Sequence, residues 1–269
     1  MTPASTSALT AGSRRYLLPA GGSDLVAVER PLVLKIGGTT LVTMRTPGDE
    51  KALGVGFLAS EGIVRSVRDV SSCLYRPAAK KGEADTLTIR LRTPSARRRL
   101  GALSRVHEIR ASCGVCGSAD VSRLLTGIRP LAPGRPRVER PALARMERRM
   151  RRAQRLFPAT GGCHAAAIFS SGGALWACRE DIGRHNALDK AIGTCLRDRR
   201  DLSRGVVLLS GRGGYELVIK SLRVGIAFLA TVGAPSSLAI DLARGSGATL
   251  MRLPQRGTAR IYHDTGRVA

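Results

Sequence analysis

Hydrophobic and polar residues alternate along the first part of the chain with the two-residue period of β-strands. The alternation runs from residue 24 to 45, and Gly37-Gly38 interrupts it where a two-residue hairpin turn would join two strands. A further strand is predicted from the alternation in DTLTIRLR. These elements predict an α+β subdomain over residues 24–110, preceded by a disordered N-terminus at residues 1–23.

The spacing of apolar residues changes to the helical period after the hairpin. Asp49 and Glu50 favour a helix N-terminus, Leu53 and Phe57 fall on one helix face, and Gly62 suits the C-terminal stop. The sequence therefore predicts one helix inside the first subdomain.

The middle of the chain combines a linker-like composition with one amphipathic pattern. Residues 111–140 hold a short cysteine-containing segment and a stretch rich in Pro, Gly and Arg, which predict a mobile loop and a linker. From Pro141 to Phe157, apolar residues recur every three or four positions, and Pro158 follows directly. A single helix is predicted there, with its arginine-rich face in solvent.

Residues 141–269 predict a regular α/β core. Two short apolar runs should form a hairpin that turns at residues 171–173, and a helix pattern follows in HNALDKAIGTCLR. Strand and helix patterns then alternate twice more and end in an edge strand, TARIYH. Two successive β-α-β units predict an α/β fold class, a sheet with helices on both faces.

Charge narrows the range of ligands. The chain has 44 Lys and Arg against 20 Asp and Glu, a formal net charge of +24, and such a potential attracts polyanions. However, the arginines are spread over the whole length, with no aromatic-rich RNA motif, zinc-finger spacing or basic zipper. Specific nucleic-acid binding is not expected, and an anionic small ligand or an acidic protein partner is favoured.

The N-terminal residues and the cysteine content indicate a cellular setting. The first twenty residues lack a basic start followed by an apolar run, and no segment approaches the roughly 18 apolar residues of a membrane span. We therefore expect a cytoplasmic protein without membrane association. Six cysteines in such a protein are predicted to be free thiols, and a close pair favours metal or catalytic chemistry.

Cys113 and Cys116 form that close pair, in ASCGVCGSAD. A structural zinc site would need two further ligands, and Cys73 and the Cys163-His164 pair supply no second C-x-x-C. A thioredoxin-like redox pair would sit at the start of a helix after a strand. A sulfur carrier would use an exposed, mobile thiolate, which nearby arginines would favour. The residues alone leave these three alternatives open.

Two glycine-rich turns have the character of anion sites. Gly211-Arg212-Gly213 lies between a predicted strand and a helix, and residues 233–237 repeat the arrangement. Both fall at the carboxyl ends of strands, where ligands of α/β sheets bind. Four polar residues nearby are either substrate contacts or polar groups at a helix start: Asp181, Arg184, His185 and Asn186.

Several motifs, in order along the chain, resemble one family. The motif ASCGVCG is followed by TGGCHAAAIFS, ACREDIGRHNALDKAIG, and LLSGRGGYELVIKSLRVGIAFLATVGAPSSLAIDLA. An N-terminal segment, LVLKIGGTTLVTMRTPGDEKALGVGFLASEGI, and the ending TLMRL with GTARIYH belong to the same pattern. Over residues 24–264 the chain is similar to the formate dehydrogenase accessory sulfurtransferase family.

The resemblance implies a specific activity and a specific site. A member of this family accepts sulfur from a cysteine desulfurase as a persulfide and passes it to the molybdenum (or tungsten) bis(pyranopterin guanine dinucleotide) cofactor of formate dehydrogenase. The persulfide falls on Cys113, and Cys116 assists. The cofactor is bound as a substrate, with no tightly held metal of the protein's own. Its contacts fall on Leu253, Pro254, Gln255, Arg256, Gly257 and Thr258.

The same resemblance implies an assembly and a fold. The family is homodimeric, and its core is a three-layer α/β/α sandwich similar to the cytidine deaminases, here with a smaller N-terminal β-rich subdomain. The deaminase H-x-E and P-C-x-x-C motifs do not occur in this sequence, so deamination is not expected. Two alternatives to sulfur transfer stay open: a cofactor-binding chaperone without sulfur chemistry, and a thiol-disulfide oxidoreductase.

Overall fold

The computed structural model describes residues 11–80, 82–101, 121–254 and 258–269, the side chain of Arg123 excepted. The strands are β1 (Ser13–Leu17), β2 (Ser23–Ala27), β3 (Arg30–Ile36), β4 (Thr39–Arg45), β5 (Val70–Arg76), β6 (Asp85–Leu91), β7 (His164–Ser170), β8 (Leu175–Asp181), β9 (Gly205–Leu209), β10 (Phe228–Thr231), β11 (Thr249–Arg252) and β12 (Arg260–His263). The helices are α1 (Glu50–Ser60), α2 (Val121–Leu124), α3 (Arg140–Ala153), α4 (Leu156–Thr160), α5 (Arg184–Arg197), α6 (Tyr215–Arg223) and α7 (Ser237–Ser246). Residues 94–101 are also helical, within the predicted subdomain 24–110.

β1 and β2 form an antiparallel ribbon near the N-terminus. The prediction of disorder up to residue 23 is therefore wrong from residue 13 onwards. Most side chains of both strands are exposed, so they show little of the apolar alternation that marks a strand with one buried face. Backbone pairing, which the hydrophobic pattern does not report, holds this segment.

The second sheet has the order β4-β3-β6-β5. The predicted hairpin is confirmed: β3 and β4 pair antiparallel, and Gly37 and Gly38 both have positive φ, as a tight turn of this kind requires. The predicted strand in DTLTIRLR is β6, which lies parallel to β3. Strand β5 was not predicted, because its side chains are mostly exposed and its apolar alternation is weak.

The third sheet has six strands in the order β12-β11-β10-β9-β7-β8. The predicted β-α-β units are confirmed, since β9, β10 and β11 are mutually parallel and α6 and α7 connect them. β7 and β8 form the predicted hairpin, and β12 closes the edge antiparallel to β11. One face of this sheet packs against α5, α6 and α7, and the other against α3. The α/β class is confirmed.

Helix α3 ends at Ala153, four residues before the predicted end. Gln154 leaves the helical conformation, and the short helix α4 contains both Phe157 and Pro158. The Glu180 carboxylate accepts hydrogen bonds from the backbone N–H groups of Arg155 (2.6 Å), Leu156 (2.9 Å) and Phe157 (2.8 Å), which starts this second helix. A distant carboxylate thus divides a stretch that one periodic pattern spans.

One hydrophobic core joins the two larger sheets. A single buried cluster includes Leu34 and Ile89 from the four-stranded sheet and Ile168 and Val207 from the six-stranded sheet. Helices α1 and α5 lie in contact, so the predicted segments 24–110 and 141–269 share a core. A three-layer sandwich describes only the six-stranded sheet and its helices, because the four-stranded sheet adds a further layer. The likeness to cytidine deaminases stays a prediction.

The described end of the predicted linker is anchored. The buried Arg267 guanidinium donates to the carbonyl oxygens of Ala132 (2.7 Å), Arg135 (2.5 Å) and Gly247 (2.7 Å). Val138 also bridges to Val268, in parallel orientation. Residues 132–138 therefore pack against the C-terminal segment. The prediction of a mobile loop and linker over residues 111–140 is wrong for this part.

None of the described helices is both long and apolar enough to cross a bilayer.

The contact between α1 and α5 should tolerate no side chain. A Cβ on Gly56 would lie 1.7 Å from the Asp189 carbonyl oxygen, and one on Gly193 would lie 1.9 Å from the Ala52 carbonyl oxygen. We therefore expect Gly56→Ala to lower the free energy of unfolding by about 3 kcal/mol, measured by urea denaturation, because the helices must separate. Gly172→Ala is the control, since its Cβ would meet Ser170 Oγ at 3.9 Å. Equal stability of the two variants would contradict the close helix contact.

Candidate functional site at the carboxyl edge of the six-stranded sheet

The turns after the parallel strands meet at one edge of the six-stranded sheet. Residues 210–214 follow β9, residues 232–236 follow β10, and Leu253 follows β11. β7 is antiparallel to β9, so its first residue, His164, lies at the same edge. This edge is where α/β sheets usually hold ligands, and we call it the carboxyl edge.

The two predicted anion turns are bonded to each other. Gly213 N–H donates to the Ala234 carbonyl (3.3 Å), Gly233 N–H to that of Gly211 (3.0 Å), and Ser236 N–H to that of Gly213 (3.0 Å). A Cβ on Gly233 would lie 2.9 Å from the Arg212 nitrogen, so only glycine allows this approach. The glycines therefore join the turns, and several of the amides expected to face an anion are already used.

The Arg212 side chain is the charged group of this turn that remains available to bind an anion. Its side chain is exposed, and the described part of the chain supplies no hydrogen-bond or ion-pair partner for it. The backbone N–H groups of Gly211 and Arg212 likewise have no acceptor among the described residues. One guanidinium and two adjacent amides can together bind a phosphate or a carboxylate.

Two histidines lie at the carboxyl edge together with Arg212. Partial burial lowers the pKa of His164, and the positive charges of Arg184, His185 and Arg212 lower it further, so His164 is neutral at pH 7. His185 Nε2 lies 2.8 Å from a Glu216 carboxylate oxygen, and an Arg184 nitrogen lies 3.9 Å from the same atom. Glu216 lies in the first turn of α6, directly after the Arg212 turn, so its contact with His185 brings the first residues of α5 near this turn.

The polar residues around the start of α5 divide into two roles. Asp181 is fully buried, forms a 2.7 Å ion pair with Lys190, and accepts hydrogen bonds from the backbone N–H groups of Gly183 (2.9 Å) and Thr46 (3.2 Å). Asn186 donates to the Met44 carbonyl at 2.7 Å. Asp181 and Asn186 therefore hold the helix start in place, whereas Arg184 and His185 are partly exposed at the site.

A cavity of about 400 Å³ extends inward from His185 and Glu216, between α5, α6 and strands β3 and β4. A buried ion cluster lines it: Lys220 Nζ lies 2.9 Å from Asp189 Oδ2 and 3.0 Å from Glu61 Oε1. Burial lowers the pKa of Lys220, but the charges of Asp189 and Glu61 outweigh it and raise this pKa, so Lys220 is a cation. The cluster gives the cavity a charged wall, and apolar residues such as Leu34, Leu41 and Phe57 also line it.

Sequence reasoning did not find Glu61, Asp189, Lys220 or Glu216. Asp189 and Lys190 interrupt the apolar face of α5, which is a weak signal of buried charge. Glu216 and Lys220 are four residues apart in α6, a spacing that usually indicates an exposed ion pair. The structure instead places Lys220 inside, with a partner on each of two other helices or helix ends.

The predicted cofactor segment is described only at its ends. Leu253 is buried and donates its N–H to the Thr231 carbonyl (2.8 Å), whereas Pro254 and Thr258 are exposed at the carboxyl edge. Gln255, Arg256 and Gly257 lie outside the described residues, as do Cys113 and Cys116. The base of this segment therefore lies beside the 232–236 turn, which is itself bonded to the Arg212 turn.

The four described cysteines are weak nucleophiles. Burial raises the pKa of Cys163 to about 11, and that of Cys178 and Cys195 to about 12. Burial also raises the pKa of Cys73. Within the described residues, no three His, Cys, Asp or Glu side chains are grouped so as to hold a metal ion. The thiolate is the reactive form, so these cysteines contribute little reactivity at pH 7.

Alkylation should reveal these raised pKa values. Between pH 7 and pH 10, we expect the iodoacetamide rate at Cys163, Cys178 and Cys195 to rise about tenfold per pH unit, because the thiolate fraction rises until pH reaches the pKa. Quenched reactions of the folded protein, mapped by peptide mass, measure each site. A free cysteine peptide, whose rate levels off near pH 9, is the control. A plateau below pH 9 at any of the three would contradict the raised values.

Comparison with known proteins identifies relatives over nearly the whole chain. The model of the FdhD/NarQ family matches residues 27–269. The sulfur carrier protein FdhD of Streptomyces coelicolor is 42% identical over 231 residues, covering 84% of this chain and 82% of that protein. The protein of the same name from Mycobacterium tuberculosis is 41% identical over 234 residues, covering 84% of both.

A solved structure shares the fold. A protein described as a formate dehydrogenase accessory protein, from Desulfotalea psychrophila, superposes with a TM-score of 0.70 over 96% of this chain and 97% of that chain, at 23% identity. The family resemblance predicted from the motifs is thereby confirmed. The family model matches residues 27–269, and relatives of about 40% identity cover 84% of the chain, so this chain belongs to the FdhD/NarQ family.

Proposed function

We propose that this chain carries sulfur as a persulfide on Cys113, from a cysteine desulfurase to the molybdenum or tungsten bis(pyranopterin guanine dinucleotide) cofactor of formate dehydrogenase. The relatives from Streptomyces and Mycobacterium are named sulfur carrier proteins, which supports the class of reaction. The Desulfotalea protein is described as an accessory protein of formate dehydrogenase, which supports the recipient. A cytoplasmic homodimer is part of the same proposal.

The distribution of thiol reactivity carries this proposal. Four of the six cysteines have raised pKa values that make them poor nucleophiles. The remaining two are the C-x-x-C pair, Cys113 and Cys116, in a small-residue segment close to several arginines in sequence. Positive charge nearby favours the thiolate, so the chemistry falls to this pair.

The transfer can be written with its electrons balanced. The Cys113 thiolate attacks the terminal sulfur of the donor's persulfide, a new S–S bond forms as the donor's S–S bond breaks, and the donor leaves as a thiolate. The Cys116 thiolate then attacks Cys113, which forms a Cys113–Cys116 disulfide and expels hydrosulfide for the cofactor. A dithiol reductant must restore the pair before the next cycle.

The carboxyl edge suits the anionic part of the cofactor substrate. A bis(guanine dinucleotide) carries several phosphates, and Arg212 with the amides of Gly211 and Arg212 forms an anion-binding group on the same sheet edge as Leu253 and Pro254. Because the hydrogen bonds between the turns use the amides of Gly213 and Gly233, we expect the Arg212 guanidinium to make the larger contribution.

Intact mass should show the persulfide directly. After incubation with a cysteine desulfurase and cysteine, we expect the wild type to gain the mass of one sulfur atom at Cys113 and Cys113→Ala to gain none, because the nucleophile is missing. Cys116→Ala should still carry the sulfur but release no sulfide until a thiol reductant is added.

Cys73→Ala is the control for this experiment, because the pKa of Cys73 is raised and the residue should have no part in transfer. It should load sulfur at the wild-type level. A wild type that acquires no persulfide would contradict sulfur carriage and would favour the chaperone alternative. A Cys113–Cys116 disulfide that exchanges with substrate thiols, without sulfur gain, would favour the oxidoreductase.

Calorimetry tests the carboxyl edge. We expect Arg212→Ala to weaken the binding of guanosine diphosphate about tenfold, since one charge-assisted hydrogen bond to phosphate is lost. Arg244→Ala is the control: it removes an equally exposed arginine from α7 and should leave the affinity unchanged. Equal affinities of the two variants would remove the 211–213 turn from the site.

A further inference from the structure

A large groove lies at the opposite edge of the six-stranded sheet. Its volume is about 1420 Å³, and its lining includes Leu202 and Ser203 before β9, Gly225 and Ala227 before β10, and Ser171 after the antiparallel β7. These positions are the amino ends of the parallel strands, so this groove, the amino-edge groove, faces away from the carboxyl edge.

Arginine dominates the lining of the amino-edge groove. Among the described residues, eight arginines line it, against two acidic residues, Glu61 and Asp201. Glu61 is already paired with Lys220 and with Arg223 (2.8 Å), so it neutralises little of the remaining charge. The side chains of five exposed arginines have no hydrogen-bond or ion-pair partner in the described part of the chain: Arg65, Arg129, Arg135, Arg137 and Arg204. Solvated cations gathered in a concave surface attract anions.

The size and chemistry of the groove favour a protein partner. The groove exceeds the roughly 300–1,000 Å³ of small-ligand pockets. The described residues of its lining include no Phe, Tyr or Trp, the side chains on which the bases of a single-stranded nucleic acid stack. Aliphatic groups such as Leu131, Leu196 and Leu222 line it together with the arginines. Arginine guanidinium groups can form bidentate hydrogen bonds with the carboxylates of an acidic protein segment, and the aliphatic side chains can pack against its apolar atoms.

The position of the groove relates it to the C-x-x-C segment. The described chain stops at residue 101 and resumes at residue 121. Arg99, just before the first point, and Thr126, just after the second, both line the groove. A partner bound there is therefore held at the two attachment points of the segment that carries Cys113.

We infer that the amino-edge groove is the docking surface for an acidic surface segment of the protein that delivers sulfur to this chain. The inference rests on the proposed function, because it takes the delivering protein to be the persulfide donor. It adds a location and a recognition chemistry: the donor binds at the amino edge through carboxylates, on the other side of the sheet from the Arg212 turn.

Loading kinetics of the full chain test this docking. We compare wild type with the triple variant Arg129→Glu, Arg135→Glu, Arg137→Glu, and measure persulfide formation against cysteine desulfurase concentration. The half-saturating donor concentration should rise at least about tenfold, because the donor protein binds the variant more weakly. The maximal rate should be unchanged, because the reacting thiol is intact. Raising the salt concentration should increase the half-saturating donor concentration of the wild type more than that of the variant.

The matched control is Arg145→Glu, Arg148→Glu, Arg152→Glu. These exposed arginines of α3 also lack side-chain partners among the described residues, and the variant changes the net charge equally. Wild-type kinetics in the control would show that position, not total charge, matters. Equal half-saturation in both triple variants would overturn the inference, whereas absence of persulfide on wild type at any donor concentration would contradict the proposed function instead.

Binding probes test the docking surface even if the wild type forms no persulfide. A fluorescein-labelled oligoglutamate peptide should bind wild type and the α3 variant, and bind the groove variant at least about tenfold more weakly, measured by anisotropy. A labelled single-stranded RNA of equal charge is the comparison. If the groove variant lost RNA binding and kept the peptide, the groove would be a nucleic-acid site and the inference would be wrong.

Discussion

The contact between α1 and α5 determines how the two larger sheets come together. At this contact the Asp189 backbone carbonyl faces Gly56, while the Asp189 side chain accepts a hydrogen bond from Ser60 (2.6 Å) and pairs with Lys220. Removing one partner of such a buried pair costs about 3–5 kcal/mol. The same residue therefore holds three helices together and gives the cavity beside His185 its charged wall.

The direction of the parallel strands then separates two surfaces. Each helix that follows a strand begins at the carboxyl edge and ends at the amino edge, so α5 presents Arg184 and His185 at one end and Leu196 at the other. The glycine turns, with their bonded amides, lie at the first edge, and the arginines of the groove lie at the second. The proposed sulfur transfer has a protein donor and a small-molecule recipient, and a sheet of parallel strands separates one surface for each without a second domain.

Hydrophobic periodicity predicted the elements that bury one face and missed those held in other ways. The β3–β4 hairpin, the β-α-β units and α5 follow from it, and the carboxyl-edge rule placed Gly211 and Gly233 together. It could not predict that the two turns use each other's amides, because that depends on a 3 Å approach between separate segments. Nor could it predict that Glu180 starts a second helix at Leu156, since the carboxylate comes from a strand 24 residues away in sequence.

The burial of most thiols has a chemical consequence for a protein of this kind. A persulfide sulfur passes to any accessible thiolate, so additional reactive cysteines would divert it. Cys163, Cys178 and Cys195 lie in or beside the packed sheet, where desolvation keeps their pKa values at about 11 to 12. The core that stabilises the fold thus also keeps these three thiols largely protonated at neutral pH, so they would not compete with Cys113 in the proposed sulfur transfer.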